Sequence, residues 1–448
     1  MSQAGKATRI DLFNFSTPQM RAFHLSWFAF FLCFFAWFGL SPLMAVVRDE
    51  MHLSKEQVGW IAIGSVAITI LSRVGFGWLS ERIGPRLAYT WLLTLGSLPV
   101  MGIGLARGFE TFLIFRVLIG AIGASFVITQ YHTSLMFAPN CIGMANATTA
   151  GWGNAGGGVT HIVMPKVFAL LAVTMGLGAF MGWRVAMLCA GVLCFLTGIA
   201  YYFLTQDTPQ GNFADLRVAG LLPPRKAVEG SFGIAVRDPR VWALAVLYGA
   251  CFGVELTWDV QAALYFKDYF QLSLEAAGLA AGSFGFMHLF ARTLGGFVSD
   301  KLGGASGLKG RVSWLFATIL VQGLGLMLFS RFSTLWVAVP TMLFFGLFMK
   351  MAEGATFAIV PFVNRKAMGS VAGIVGAGGN VAAVAAGFLF KGAHTPTAFL
   401  TLGAIVAVCS FVAFAVRFSA ETEAEASREF RAAVARRDEM PELVGAPA

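Results

Sequence analysis

The sequence predicts an all-α membrane protein of twelve transmembrane helices, arranged as two pseudo-symmetric six-helix bundles. Three observations predict it. Of 448 residues, 57% are hydrophobic and only 12% charged, with a mean hydropathy of +0.73. That is too little polar surface to cover a soluble domain of this size, and lipid is the fitting solvent. Twelve apolar stretches can be drawn, each long enough to cross a bilayer at about 1.5 Å of rise per helical residue. One polar pattern also occurs twice inside apolar sequence. It reads Arg73, Gly77, Ser80, Glu81, Arg82, Gly84 and then Arg292, Gly296, Ser299, Asp300, Lys301, Gly303, equally spaced and 219 residues apart, close to half the chain.

In chain order, the polar segment 1–21 lacks the basic-then-apolar layout of a signal peptide and is expected to be a cytosolic N-terminus. The first bundle, 22–205, holds spans at 22–47, 57–80, 87–106, 110–138, 143–174 and 181–205. Barrel strands would alternate in polarity every second residue; stretches of this length suit helices. Residues 206–240 carry Pro209, Pro223 and Pro224 among Arg217, Arg225, Lys226, Arg237 and Arg240, the composition of a cytosolic linker. The second bundle, 241–417, holds spans at 241–266, 273–300, 312–331, 334–358, 367–391 and 395–417. The charged, Ala-rich tail 418–448 is expected as a short cytosolic surface helix or a disordered segment. Basic turns after span 2 (Arg82, Arg86), span 8 (Lys301, Lys309, Arg311) and span 10 (Arg365, Lys366) share the side of both termini, as the positive-inside rule asks of a multi-pass protein of the cytoplasmic (inner) membrane. The net charge of +9 is spread over such short connections, which argues against a nucleic-acid partner. The six cysteines lie in or beside apolar segments without metal-ligand spacing and read as small buried hydrophobes.

A charge in hydrocarbon costs several kcal/mol unless it lines a cavity or has a partner. Arg73 and Arg292 stand at matching depth, about seven residues or roughly 10 Å from the ends of their spans. The structural reading is an ion pair with a carboxylate on another helix; the functional reading is an anion clamp at the bundle interface. Guanidinium offers a fixed fork of donors matched to planar oxyanions and keeps its charge at any working pH. A second repeat, offset by 226, matches Gly143, Gly153 and Asn154 with Gly369, Gly379 and Asn380. Glycine runs such as Ala150 to Gly158 and Gly376 to Asn380 let helices approach closely, and they also let a small ligand reach the main chain. The two asparagines add amide donors at matching positions. Glu81 and Asp300, with Arg82 and Lys301, sit at the mouths of spans 2 and 8; the acids are expected to hold a gate closed by pairing with basic residues or helix ends.

A proton carrier needs a group that changes charge during the cycle. Glu255 and Asp259, four apart on span 7, are the first candidates, and His132 and His161 the second; structural pairing competes for each. Other buried ionisable residues are Arg116, His288, Lys350 and Glu353. The last two are three apart and able to neutralise each other. Nothing calls for a cofactor or a metal. Neither a nucleophilic triad nor a Gly-Lys-Ser/Thr phosphate loop supports an enzyme.

These motifs also carry a resemblance. Gly77 to Arg86 (GWLSERIGPR), with its echo at Gly296 to Gly303, resembles the loop signature of the major facilitator superfamily, and Arg116, Gly120 and Gly123 resemble its helix-4 motif. More specifically, Ala150 to Pro165 (AGWGNAGGGVTHIVMP) and Ala367 to Asn380 (AMGSVAGIVGAGGN) resemble the paired nitrate signatures of the nitrate/nitrite porter family. Tyr248 to Thr257 and Gly354 to Arg365 are similar to its high-affinity nitrate transporters. The resemblance spans all twelve segments. It implies a major facilitator fold, nitrate-clamping arginines at Arg73 and Arg292, and substrate contacts at Gly151, Gly153, Asn154, Gly376, Gly379 and Asn380. It also implies a ring packed on the anion at Phe126, with further aromatics near Tyr248 and Phe252. His132 departs from the pattern, standing where plant relatives carry Trp.

The expected function is secondary active import of nitrate, with nitrite discriminated poorly, by alternating access and proton symport. Nitrate/nitrite antiport is the alternative for coupling. A nitrate sensor and a channel are the readings from other classes, and the short connections offer a signalling partner little to dock on. The expected partners are nitrate or nitrite, protons and the lipid bilayer, with the protein a monomer.

Overall fold

The computed structural model describes residues 5–222, 230–272, 276, 280, 283–392 and 395–439. Its described residues are helical almost throughout, with two isolated β-bridges and no extended strand. We label the principal helices α1 (Pro18–Phe38), α2 (Lys55–Ile83), α3 (Pro85–Gly102), α4 (Phe109–Met136), α5 (Ile142–Ala169) and α6 (Gly178–Leu204). The second half holds α7 (Pro239–Trp258), α8 (Ala291–Phe329), α9 (Leu335–Val363), α10 (Met368–Gly392), α11 (Thr395–Ala415) and the tail helix α12 (Ala420–Glu439).

Among the described residues ten helices are long and apolar enough to cross a membrane, and a pair bent by 41°, Ile142–Thr160 with Ile162–Thr174, makes an eleventh. One of the ten, Met287–Phe329, has 43 residues. At about 1.5 Å per residue a straight helix of that length would be roughly twice as long as a hydrocarbon core is thick. It is not straight. At Gly307 the backbone takes φ 66°, ψ −156°. Beyond that point the chain folds back, so that the Trp314 indole donates to the Gly295 carbonyl at 3.1 Å, nineteen positions earlier. The later part of the predicted eighth span, 273–300, lies in the first arm of this hairpin and the ninth, 312–331, in the second.

Sequence sets the other ends too. Ser54 and Gln57 form a capping box at the start of α2, the Ser54 hydroxyl accepting from the Gln57 N–H and the Gln57 side chain from the Ser54 N–H. Gly84, at φ 92°, ends α2 and leads into Pro85 at the first position of α3. The buried Asp207 carboxylate fastens the linker beneath that turn, accepting from the N–H groups of Arg86 and Phe213, both at 2.8 Å. Burial pushes this carboxyl up to about 6.

The tail forms a docked helix. Phe430 packs over Gly304, and Glu425 and Glu429 pair with Arg365 at 3.3 and 2.5 Å. Glu423 accepts from the Leu308 N–H at 2.9 Å, just beyond the Gly307 turn. The N-terminal segment joins the same face, where Ala7 bridges to Phe137 at the end of α4. Linker and both described ends therefore share one side of the molecule, here termed the linker face.

Gly307→Ala is expected to be destabilising by about 1–3 kcal/mol, because its dihedrals are reserved for glycine. A Cβ there would also stand 2.6 Å from the Glu423 carboxylate. The expected readout is a lower unfolding temperature in detergent, with earlier proteolysis of α12.

Candidate functional site

Four helices bring the site together: α2 supplies Arg73, α4 Phe126, α7 Tyr248 and Phe252, and α8 Arg292. Both guanidinium groups are 0% exposed. Each lies against the same ring, with the central carbon of Arg73 5.1 Å and that of Arg292 5.3 Å from the Phe126 centroid. They can be no further apart than the sum of these distances. Arg73 is also 5.1 Å from the centroid of Phe252. Phe126 stacks nearly parallel to Tyr248 (5.7 Å, 9°) and Phe252 (6.3 Å, 6°), and Phe357 of α9 meets Phe126 edge-on at 4.8 Å. An aromatic face attracts a desolvated cation, so this stack is a partial substitute for water around two buried charges.

The two arginines are otherwise held differently. Arg73 donates only to main-chain carbonyls, Nε to Gly123 at 3.2 Å and Nη1 to Gly376 at 2.7 Å. Arg292 donates through Nη1 to the Glu353 carboxylate at 2.8 Å and through Nη2 to the Tyr248 hydroxyl at 3.1 Å. The expected symmetry of two unpaired cations is thus half present: Arg292 carries the ion pair of the structural reading, and Arg73 does not. Some donors remain: Arg73 Nη2, Arg292 Nε and the side-chain amides of Asn154 and Asn380 are buried with no hydrogen-bond partner in the protein. Buried polar atoms are rarely left so.

The signature glycines set the distances. A Cβ at Gly376 would lie 3.2 Å from Val127 and 3.5 Å from Phe126, and one at Gly379 would lie 2.5 Å from Phe252. On the other side Gly153 faces Phe30, and Gly151 faces the His288 carbonyl and the Cβ of Arg292. These glycines admit the rings and helices that shape the site.

Glu353 and Lys350 do not neutralise each other first. Lys350 Nζ is 2.5 Å from Glu255 and 3.9 Å from Glu353, while Glu353 is committed to Arg292. His288 Nε2 stands 3.6 Å from Glu255. Glu255 therefore belongs to a buried chain of charges continuous with the arginine site. Breaking such a chain by removing one member costs about 3–5 kcal/mol. His132 lies apart from it: its ring nitrogens are bonded to the Tyr201 hydroxyl at 2.6 Å and the Gln206 carbonyl at 2.8 Å, where the first bundle meets the linker. The side chains of Asp259 and His161 lie outside the described residues.

Toward the linker face the two sequence repeats meet crosswise. A Cβ on Gly77 would lie 2.4 Å from the Gly369 carbonyl oxygen, and one on Gly296 would lie 2.3 Å from that of Gly143. One turn on, each acid caps the opposite bundle's helix. Glu81 accepts from the Ser370 N–H at 3.0 Å and hydroxyl at 2.8 Å at the start of α10. Asp300 accepts from the N–H groups of Gly143 and Met144 at 3.0 and 2.7 Å at the start of α5, and from Arg311 at 2.6 Å. Of the two partners anticipated, helix ends serve both acids. Arg82 and Lys301 lie over Trp78 and Phe297, four positions back on their own helices.

Sequence reasoning did not foresee Glu353 on Arg292, Phe357 in the aromatic group or Arg311 on Asp300. A usable signal existed for the second: Phe357 lies one turn beyond Glu353 on the same helical face.

Two membrane-embedded bundles, related by a repeated motif and meeting around buried cations, define a carrier of the major facilitator type. The chain belongs to the Major Facilitator Superfamily, whose family model matches residues 26–384, and within it to the family of the high-affinity nitrate transporters. It is 39% identical over 415 residues to the high affinity nitrate transporter 2.5 of Arabidopsis thaliana, covering 90% of this chain and 81% of that one. It is 29% identical to the nitrate/nitrite transporter NrtP of Nostoc punctiforme, covering 90% and 92%. Among solved structures, the fold is shared with the proton:xylose symporter XylE, at TM-score 0.69 and 14% identity over 90% of this chain and 97% of that one. It is shared also with the E. coli fucose:proton symporter FucP, at TM-score 0.63 and 13% identity, over 89% and 100%.

Gly77→Ala and Gly296→Ala each place a methyl against a backbone carbonyl that cannot yield. Overpacking costs about 1–3 kcal/mol, which shifts a two-state closure by about 5- to 150-fold. Each variant is expected to open the linker face, seen as faster maleimide labelling of a cysteine introduced at Ser370.

Proposed function

We propose that the chain is a secondary active transporter importing nitrate, and nitrite with it, across the cytoplasmic (inner) membrane, with the linker face toward the cytosol. The observation that carries this reading is the pair of guanidinium groups from opposite bundles against one phenyl ring, with donors left over. The names of the relatives, nitrate and nitrate/nitrite transporters, support the same substrate. Over the described side chains the central cluster counts three cations (Arg73, Arg292, Lys350) and two carboxylates (Glu255, Glu353), one positive charge in excess. That excess attracts a singly charged, planar, weakly hydrated anion. Sulfate and phosphate surrender more hydration and ask for more donors than the site offers.

The contacts across the linker face support alternating access. The linker face is closed by glycine contacts and helix caps, both of which can part as rigid bundles rock. Bringing an anion into a negative interior costs about 2.3 kcal/mol per 100 mV, so import needs a second flux. The buried Glu255–Lys350–Glu353 chain, in contact with Arg292, favours protons for that role over exchange against nitrite.

Purified protein in proteoliposomes tests the proposal. An imposed inward pH gradient is expected to drive nitrate uptake without internal nitrite; uptake that ignores the gradient and requires internal nitrite would establish exchange instead. Arg73→Lys and Arg292→Lys keep the charge but lose the fork, and a charge-assisted hydrogen bond is worth about 1.5–3 kcal/mol. Each is expected to weaken nitrate binding about 10- to 150-fold. Wild-type affinity in either would exclude the clamp.

A further inference from the structure

The proposed clamp leaves one fact unused: the two arginines are not equivalent. Arg73 rests on neutral carbonyls, while Arg292 is already engaged by a carboxylate of the protein itself. We infer that Glu353 is a built-in stand-in for the transported anion, that it holds Arg292 while ionised, and that it yields Arg292 to nitrate when it takes up a proton. The inference rests on the nitrate reading and assigns to that site the group that carries the coupling proton.

A carboxylate and a nitrate ion have the same charge and a similar planar set of oxygens that a guanidinium fork can engage. Arg292 Nη1 points at Glu353 Oε2 at 2.8 Å, and its Nη2 is taken by the Tyr248 hydroxyl. An anion that draws both arginines together must therefore displace Glu353 or stand beside it. Two anions side by side in a buried site repel, and the repulsion vanishes if one of them is protonated.

The surroundings make Glu353 the member free to change. From α7 it is faced by Glu255, Tyr248 and Cys251; from α8 by Arg292; and from its own helix by Lys350, with His288 on the Glu255 carboxylate and Arg73 of α2 across the Phe126 ring. Lys350 Nζ lies 2.5 Å from Glu255 and 3.9 Å from Glu353. Protonating Glu353 thus leaves the Lys350–Glu255 pair intact and frees one group, Arg292. The second Glu353 oxygen, Oε1, makes no hydrogen bond in the structure and lies 3.9 Å from Lys350 Nζ, so a proton placed there gives up only that long ion contact. Charge balances: one proton enters as one anion binds, and the site carries the same net charge loaded as empty.

Binding that takes up one proton must weaken about tenfold for each pH unit above the range where the group is already protonated. Nitrate titrations of detergent-purified protein across about pH 5.5 to 8.5 are expected to show that slope in the wild type and in Glu353→Asp. Glu353→Gln imitates the protonated acid. It is expected to bind with near-constant affinity across the range and to support nitrate counterflow, yet to lose accumulation driven by a pH gradient. A Glu353→Gln protein that keeps the wild-type slope would overturn the inference. Should that variant not fold, calorimetry of the wild type in buffers of different ionisation enthalpy decides alone: one proton taken up per nitrate supports it, and none refutes it. A wild-type protein that binds no nitrate at any pH would instead refute the transport reading, a distinguishable result.

Discussion

Everything central to this molecule follows from burying guanidinium groups inside a membrane-spanning fold. A membrane interior tolerates such groups only when the protein supplies the missing solvation. Here it comes from three sources of decreasing charge: a carboxylate, the oxygens of main-chain carbonyls and a hydroxyl, and the faces of stacked rings. Arg292 draws on all three, with a carboxylate from α9, a hydroxyl from α7 and the Phe126 ring. Arg73 receives carbonyls and rings only. The glycines around the site are a corollary, because they bring main chain and aromatic rings to the distance that solvation requires.

The same economy joins the two repeats. Their offsets, 219 and 226, are unequal, and a tandem duplication alone does not explain why both patterns persist. The structure supplies the reason: each motif's partner is the other motif in the opposite bundle. Gly77 meets Gly369, Gly296 meets Gly143, and each acid reaches the helix start one residue further on. An acid at a helix N-terminus completes the hydrogen bonding of the first turn and complements its dipole. A loop signature and a glycine signature that look independent in sequence are thus the two faces of one joint, made twice.

Much of this was legible in the chain itself. Spacing located Arg73 and Arg292, repetition placed them at an interface, and the resemblance named Phe126, Tyr248 and Phe252. Helix number was harder to see in the folded chain than in the sequence, since one continuous helical run hides a reversal at Gly307. What could not be read was partner choice among buried charges. Glu353 lies three positions from Lys350, a spacing that favours pairing along one helix. The contact that forms depends on how α9 is rotated toward α8, which packing decides and periodicity does not. His132 shows the converse: its residue type suggested proton traffic, but Tyr201 and Gln206 occupy both ring nitrogens.

The two joints are alike in plan and unlike in strength. The seam between α5 and α8 carries an additional guanidinium, Arg311, which grips Asp300 and also donates to the Pro139 carbonyl at 2.9 Å. At the α2–α10 seam, Glu81 is met by neutral donors, the hydroxyl and N–H of Ser370 among them. One seam is thus tied by charge and the other by neutral donors, so a plan drawn twice in the sequence is not symmetric in what it would take to part its two joints.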